Sequence, residues 1–207
     1  MTHAGDVFES PATRETGRII TGAGDTDGRY MQSETRVRPG GAVSVVHRHP
    51  GCTERFEVVE GELTVRLEDQ TRTLTAGEQV TIPPGAAHHY ANTSEEDVVF
   101  RFDVWPAARF EAMVVTLFAL GMEGKTNNKG APSPLQMAVI LDEYSDVMEL
   151  VGPPRRLQRL AIPALARLGR ARGLRASYPH HDEVYARWQE RAAAALIPAH
   201  GPLTGRP

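Results

Sequence analysis

Four side chains with metal-binding chemistry, His47, His49, Glu54 and His88, fall in two short stretches of this 207-residue chain. The first, residues 41–61, reads GAVSVVHRHPGCTERFEVVEG; the second, residues 77–92, reads GEQVTIPPGAAHHYAN. Imidazole nitrogens and carboxylate oxygens together suit divalent first-row metal ions. Three imidazoles and one carboxylate therefore make a candidate centre, provided the fold brings both stretches to one point.

The local pattern favours such a meeting. In an extended chain alternate side chains share a face, so Val43, Val45, His47 and His49 point one way, apolar residues first and donors after. Residues 50–53 (PGCT) have turn chemistry, and the strand after them carries Glu54, Phe56 and Val58 on one face. A carboxylate on one strand can then meet the His-x-His pair of its neighbour. Gly61 ends this strand, and LTVRLEDQTRTLTAG reads as a strand, a polar turn at 68–70 and a returning strand that stops at Gly77. Pro83, Pro84 and Gly85 break the next strand and turn His88 back toward the site. Residues 98–105 form a further strand, with Phe100, Phe102 and Val104 on one face and Val99, Arg101, Asp103 and Trp105 on the other.

Gly41, His47, His49, Glu54 and Gly61, followed by Gly77, Pro83, Gly85, His88 and Asn92, resemble the two conserved motifs of the cupin superfamily at every signature position. The resemblance covers residues 34–105. It implies a mainly β fold, the cupin double-stranded β-helix or jelly-roll barrel, with His47, His49, Glu54 and His88 as ligands of one divalent ion: Fe, Mn, Ni, Cu, Co or Zn. Cupins that serve as storage or sugar-binding modules usually lose ligands, whereas all four stand here. More loosely, the whole chain resembles bacterial single-domain cupins with a helical C-terminal extension. The resemblance implies a metal-dependent dioxygenase or oxidoreductase acting on a small organic molecule. A non-redox isomerase, cyclase or decarboxylase, or a non-catalytic ligand-binding or regulatory cupin, remains the alternative. Glu54, loosening from the ion, is the candidate base. Tyr90 is the candidate donor to an oxyanion, with a core tyrosine the plainer expectation. By alternation alone, Val43, Val45, Phe56, Val58, Tyr90, Phe100 and Phe102 line an apolar pocket.

Other chemistry-bearing residues read as structural. Cys52 cannot form an internal disulfide, being the one cysteine, and no base stands beside it in sequence. His89 points away from its neighbour His88. His180, His181, Asp182 and Glu183 resemble a metal cluster by composition, but adjacent residues at a helix start diverge, so no second site is expected.

Three segments follow from these patterns: an irregular arm over 1–30, the barrel over 31–106 and a helical extension over 107–207 packed on the barrel. Within the arm a short strand at 18–21 could extend the sheet. In the extension Phe110, Met113, Val114, Leu117 and Phe118 form a helical stripe over 107–120. A polar loop, MEGKTNNKGAPSP, offers Lys125, Asn127 and Asn128 as candidates for the barrel mouth, although a solvated connection is the simpler expectation. Ser133, Pro134 and Gln136 make a capped helix start, with the helix expected to run to about Leu150.

Residues 1–106 carry 10 Lys and Arg against 17 Asp and Glu, and residues 107–207 carry 13 against 9. The basic excess is concentrated at 155–175, with seven arginines and no acid opposite a stripe of Leu157, Leu160, Ala161, Ala164, Leu165 and Leu168. That helix is expected to cover the barrel or a second subunit. Peripheral membrane contact is possible but not favoured, and the lack of interleaved aromatics argues against nucleic acid. A homodimer is expected, as is a cytoplasmic location, because the N-terminal residues are polar and mixed in charge.

Overall fold

A computed structural model describes residues 1–181. Eleven strands and three α-helices are formed there: β1 Val7–Ser10, β2 Glu15–Thr21, β3 Met31–Val37, β4 Ala42–Arg48, β5 Thr53–Glu60, β6 Glu62–Leu67, β7 Gln70–Thr75, β8 Gln79–Ile82, β9 His88–Ala91, β10 Val98–Trp105, α1 Ala108–Met122, α2 Pro134–Glu143, β11 Glu149–Leu150 and α3 Arg155–Ala171. The strands make two sheets, ordered β1-β2-β3-β10-β5-β8 and β11-β4-β9-β6-β7, with antiparallel pairing throughout. This is the jelly roll of the cupin fold, with a helical extension after it.

Period-two patterning explains the core. Phe56 and Val58 of β5, Leu63 and Val65 of β6 and Phe100 of β10 each expose 2% or less, and they meet in one apolar cluster. Gly61 makes the β5–β6 turn in the left-handed region (φ 75°), and a Cβ there would lie 2.5 Å from the Asp97 carbonyl oxygen. Only glycine meets both demands. Asn92 ties the β9–β10 turn by donating from Nδ2 to the carbonyls of Val37 and Glu96 while Oδ1 accepts from Ser94 N.

The first thirty residues are more regular than the arm expected of them, and the strand expected at 18–21 is the end of a longer one, β2. β1 and β2 extend the larger sheet, with Phe8 opposite Gly17. Gly17 acts as a seat: a Cβ there would come within 1.9 Å of the Phe8 ring. The absent side chain lets that ring lie across β2.

Helix α2 also departs from expectation. Ser133 caps it by accepting from Gln136 N at 3.3 Å, but the helix ends at Glu143 rather than near Leu150. After a turn, β11 pairs with β4, setting Leu150 opposite His47. The Gln136 side chain does not complete a capping box; it donates to Arg175 O and accepts from Tyr178 OH.

A second cluster joins the sheets to the helices, with Ile19, Met31 and Val104 against Phe110, Met113 and Leu120 of α1 and Ile140 of α2. The expected cover for the barrel is not supplied by the stripe on α3. This helix packs on α2 through buried Ala166 and Gly169, and Leu157, Leu160, Leu165 and Leu168 are exposed. Two small residues allow a closer helix–helix approach than the leucines would, so they take the inner face. No helix among the described residues is long and apolar enough to cross a membrane.

Candidate metal centre

Strand pairing brings the four donors together. His47, on β4, stands opposite His88, on β9, while Glu54, on β5, is paired with Ile82 and Val104 in the other sheet. His49 lies one residue beyond β4. All four are buried, with 1% to 8% exposure. The ring centroids are 4.5 Å apart for His47 and His88, 4.8 Å for His47 and His49 and 5.4 Å for His49 and His88. One nitrogen from each histidine lies within 4.8 Å of the other two.

Backbone carbonyls set the direction of every ring. His47 Nδ1 is 2.8 Å from Val45 O, His88 Nδ1 3.0 Å from Ala86 O, and His49 Nδ1 2.6 Å from Val147 O. A carbonyl only accepts, so each Nδ1 carries a proton and donates it, leaving each Nε2 for the centre. The Glu54 carboxylate closes the group, with Oε1 3.5 Å from His49 Nε2 and Oε2 2.6 Å from His88 Nε2. The second contact is an ion pair only while His88 is protonated, and no hydrogen bond of good geometry reaches the buried Oε2. A buried carboxylate oxygen left so is costly. A cation between it and three Nε2 atoms would satisfy it, so these residues fit a divalent ion.

The electrostatics prepare two imidazoles for such an ion. Burial, aided by the charges of His49 and His88, holds His47 down at about 3, and burial lowers His49 as well. His88 behaves oppositely: burial disfavours its charge, but Glu54 outweighs burial and raises it. For Glu54 burial pushes upward, and the three imidazoles overcome it to leave the carboxyl at about 2. An ion competes with a proton for His88 Nε2, so affinity rises with pH.

The metal-free chain should also lose stability in acid. His47 and His49 resist protonation when folded, so below the ordinary imidazole value of 6.5 the unfolded chain binds more protons than the folded one. His47 then removes up to about 1.4 kcal/mol per pH unit, and His49 acts in the same direction. The depressed Glu54 adds stability that is present above its ordinary value of 4.5 and fades as pH falls toward about 2. The raised His88 contributes in the other sense, losing its stabilisation as pH rises through its folded value. Urea midpoints of the metal-free protein should fall steadily below pH 6.5; a flat profile down to pH 4.5 would contradict this reading.

The four donors open on a cavity of about 220 Å³. Phe56 lines it among other aromatic rings, with centroids 5.5 Å from Tyr90, 5.7 Å from Phe100 and 5.7 Å from Phe102. Val43 and Val45 line it too, although Val45 is 38% exposed; β4 and β9 shift register between Val43 and His47. Val58 does not line it. Two residues farther along β5, it is sealed in the core cluster with Leu63 and Val65. The extension supplies a wall through α1, whose Phe110 ring stands 5.1 Å from that of His49. Of the polar loop, Lys129, Gly130 and Ala131 reach the cavity rather than Lys125, which pairs with Glu123. Cys52 is buried, and desolvation pushes its thiol up to about 12, which suits an inert residue.

Sequence reasoning missed two contributors. Glu15 of β2 lines the cavity, 3% exposed, accepting from Thr13 Oγ1 and from the Tyr90 hydroxyl. Burial raises the Glu15 carboxyl, against the opposing hydrogen bonds, and raises Tyr90 well above its usual range. The alternation Glu15, Gly17, Ile19 could have revealed β2, had the glycines not read as breakers. The Val147 carbonyl on His49 left no sequence signal.

Residues 33–105 match the family described as the cupin domain. That stretch contains both motifs and all four donors. Over 72 residues the chain is 36% identical to a polyketide synthase, CurC, from Streptomyces cyaneus, a match covering 35% of this chain and 46% of that protein. The chain thus spans about half the length of this curated relative. Among solved structures, a predicted oxalate decarboxylase from Thermotoga maritima is 17% identical, covering 51% of this chain and 98% of the other with a TM-score of 0.45. The polyketide cyclase RemF from Streptomyces resistomycificus is 22% identical, covering 51% and 70% with a TM-score of 0.41. An RmlC-like cupin from Shewanella frigidimarina is 20% identical, covering 49% and 85% with a TM-score of 0.43.

Proposed function

We propose that the cupin domain is a metal-dependent enzyme acting on a small apolar molecule with chelating oxygens, and that its reaction is an oxygenation. The observation that carries this reading is the buried set His47, His49, Glu54 and His88 opening directly onto an aromatic cavity. A divalent ion held there would supply Lewis acidity and, if redox-active, a partner for dioxygen. The chain's own part is to select and shield. Phe56, Phe100 and Phe102 favour a flat apolar body and exclude water, while the carbonyl-bound Nδ1 atoms keep the three rings aimed at one point.

The Glu15–Tyr90 pair favours a second reading. A buried carboxyl with a raised proton affinity, hydrogen-bonded to a phenol in the same cavity, can hold and return a proton. That suits a non-redox cyclisation or isomerisation, and the likeness to a polyketide synthase lends support to a polyketide substrate.

Anaerobically purified, metal-loaded protein tested on phenols, diketones and polyketide-like aromatics separates the readings. Substrate-dependent dioxygen uptake is expected. Turnover without dioxygen that is abolished in Glu15→Gln would establish the second reading. Loss of neither metal nor turnover in Glu54→Gln would overturn both.

A further inference from the structure

Away from the cupin centre, a second group of donors gathers where the chain leaves α1 and where it emerges from the turn after α3. Glu123 follows the last residue of α1, and its Oε1 is 2.8 Å from His180 Nε2. His181 Nε2 is 3.7 Å from Glu123 Oε2, too far for a hydrogen bond. One donor atom from each of the three lies within 4.8 Å of the others.

His181 is 3% exposed, and neither of its ring nitrogens has a hydrogen-bond partner; Glu123 Oε2 is buried, with the Lys125 ammonium 2.9 Å away. Buried imidazole nitrogens are normally satisfied, so the arrangement is incomplete as protein alone. The surroundings hold it in place. Tyr178 OH donates to Gln136 Oε1 and accepts from Arg175 N, and Gln136 Nε2 donates to Arg175 O. Residues 175–178 are thereby fastened to α2, and the two histidines are delivered to Glu123. Adjacent residues at a helix start were expected to diverge. Here His180 lies in a turn, and both rings come within 4 Å of one carboxylate.

We propose that Glu123, His180 and His181 form a second metal site, which takes one divalent ion of the zinc type. Two imidazoles and one carboxylate are the donors such an ion prefers. Tetrahedral coordination separates ligand atoms by about 3.3 Å, between the two distances observed from Glu123. His180, 46% exposed at its side chain, leaves room for rotation and for a solvent ligand. Lys125 Nζ, 2.9 Å from Glu123 Oε2, occupies the counter-charge position; its exposed side chain can retreat to solvent when the ion enters. The bound ion clasps the segment after α3 to the end of α1, the helix that walls the cavity.

Metal-stripped full-length protein titrated with zinc, with equivalents counted by calorimetry against a competing chelator, tests the site. Wild type is expected to bind one equivalent more than His180→Ala, whose exposed side chain can be removed without opening the core, and one more than His181→Gln. In a His47→Ala/His88→Ala background, which disables the cupin centre, one equivalent should persist and disappear on adding His180→Ala. This arm separates failure of the second site from failure of the cupin centre. Equal stoichiometry with and without His180 and His181, in chains of unchanged circular dichroism, would overturn the proposal.

Discussion

Replacing His88 with alanine is expected to reduce metal affinity by more than about a hundredfold and to abolish turnover. Loss of a mere supporting residue at a metal site costs up to about that factor, and His88 is itself a proposed donor. Its Nε2 is 2.6 Å from Glu54 Oε2, and it stands across the strand pair from His47. Removing it leaves Glu54 with His49 at 3.5 Å and no other imidazole in direct ion-pair range. The variant also loses the charged partner that offsets carboxylate burial, so the metal-free protein should unfold more easily. Metal content after dialysis against a chelator, with thermal unfolding before and after reloading, measures both effects. Undiminished metal content in a folded His88→Ala protein would exclude the four-donor centre. His88→Gln, closer in volume, should lose metal with a smaller loss of packing.

Asp103→Ala is expected to destabilise the protein by about 3–5 kcal/mol, the usual result of stripping one partner from a buried ion pair. Asp103, on β10, is fully buried; its Oδ2 accepts from Arg55 Nε at 2.9 Å and pairs with Arg55 Nη2 at 2.9 Å. Its Oδ1 accepts from Gln32 Nε2 at 2.8 Å and from the Tyr30 hydroxyl. One carboxylate thus links β3, β5, β10 and the segment before β3. Without it the Arg55 guanidinium, whose side chain is 15% exposed, loses its counter-charge, and two other donors lose their acceptor. A loss of that size is a large part of the total stability of an ordinary domain, about 5–15 kcal/mol. Urea titration at neutral pH supplies the measurement, and a loss below about 1 kcal/mol would show that solvent replaces the carboxylate without difficulty. Asp103→Asn keeps an acceptor and should fall between wild type and alanine.

The contrast between these two residues shows what is legible in one dimension. His88 is marked by its company, because a proline and glycine break, a histidine and a turn-forming asparagine recur at fixed spacing. Asp103 reads as an outward polar residue of an alternating strand, which it would be if β10 had solvent on that face. Tyr30, Gln32 and Arg55 convert that face into an interior, and their approach depends on strand pairing across large separations. The same distinction governs Glu15, hidden in a glycine-rich segment that becomes β2 only because β3 and the Phe8 ring are there to receive it. The stripe on α3 was legible as a stripe. Its partner was not, because Ala166 and Gly169 permit closer contact with α2 than any leucine would.

Residue order by itself determined the strand alternation of β4 and β5, the turn at Gly61, the capped start at Ser133 and the identity of the four candidate donors. All of these rest on interactions within a few residues, where periodicity and turn chemistry operate. Tertiary structure alone decided that the Val147 carbonyl aims the His49 ring, that Glu15 and Tyr90 share the cavity, and that Glu123 meets His180 and His181. Each of these joins groups far apart in the chain. Which backbone oxygen or carboxylate fills the space beside a buried ring is set by the packing of whole elements, and no local pattern carries it.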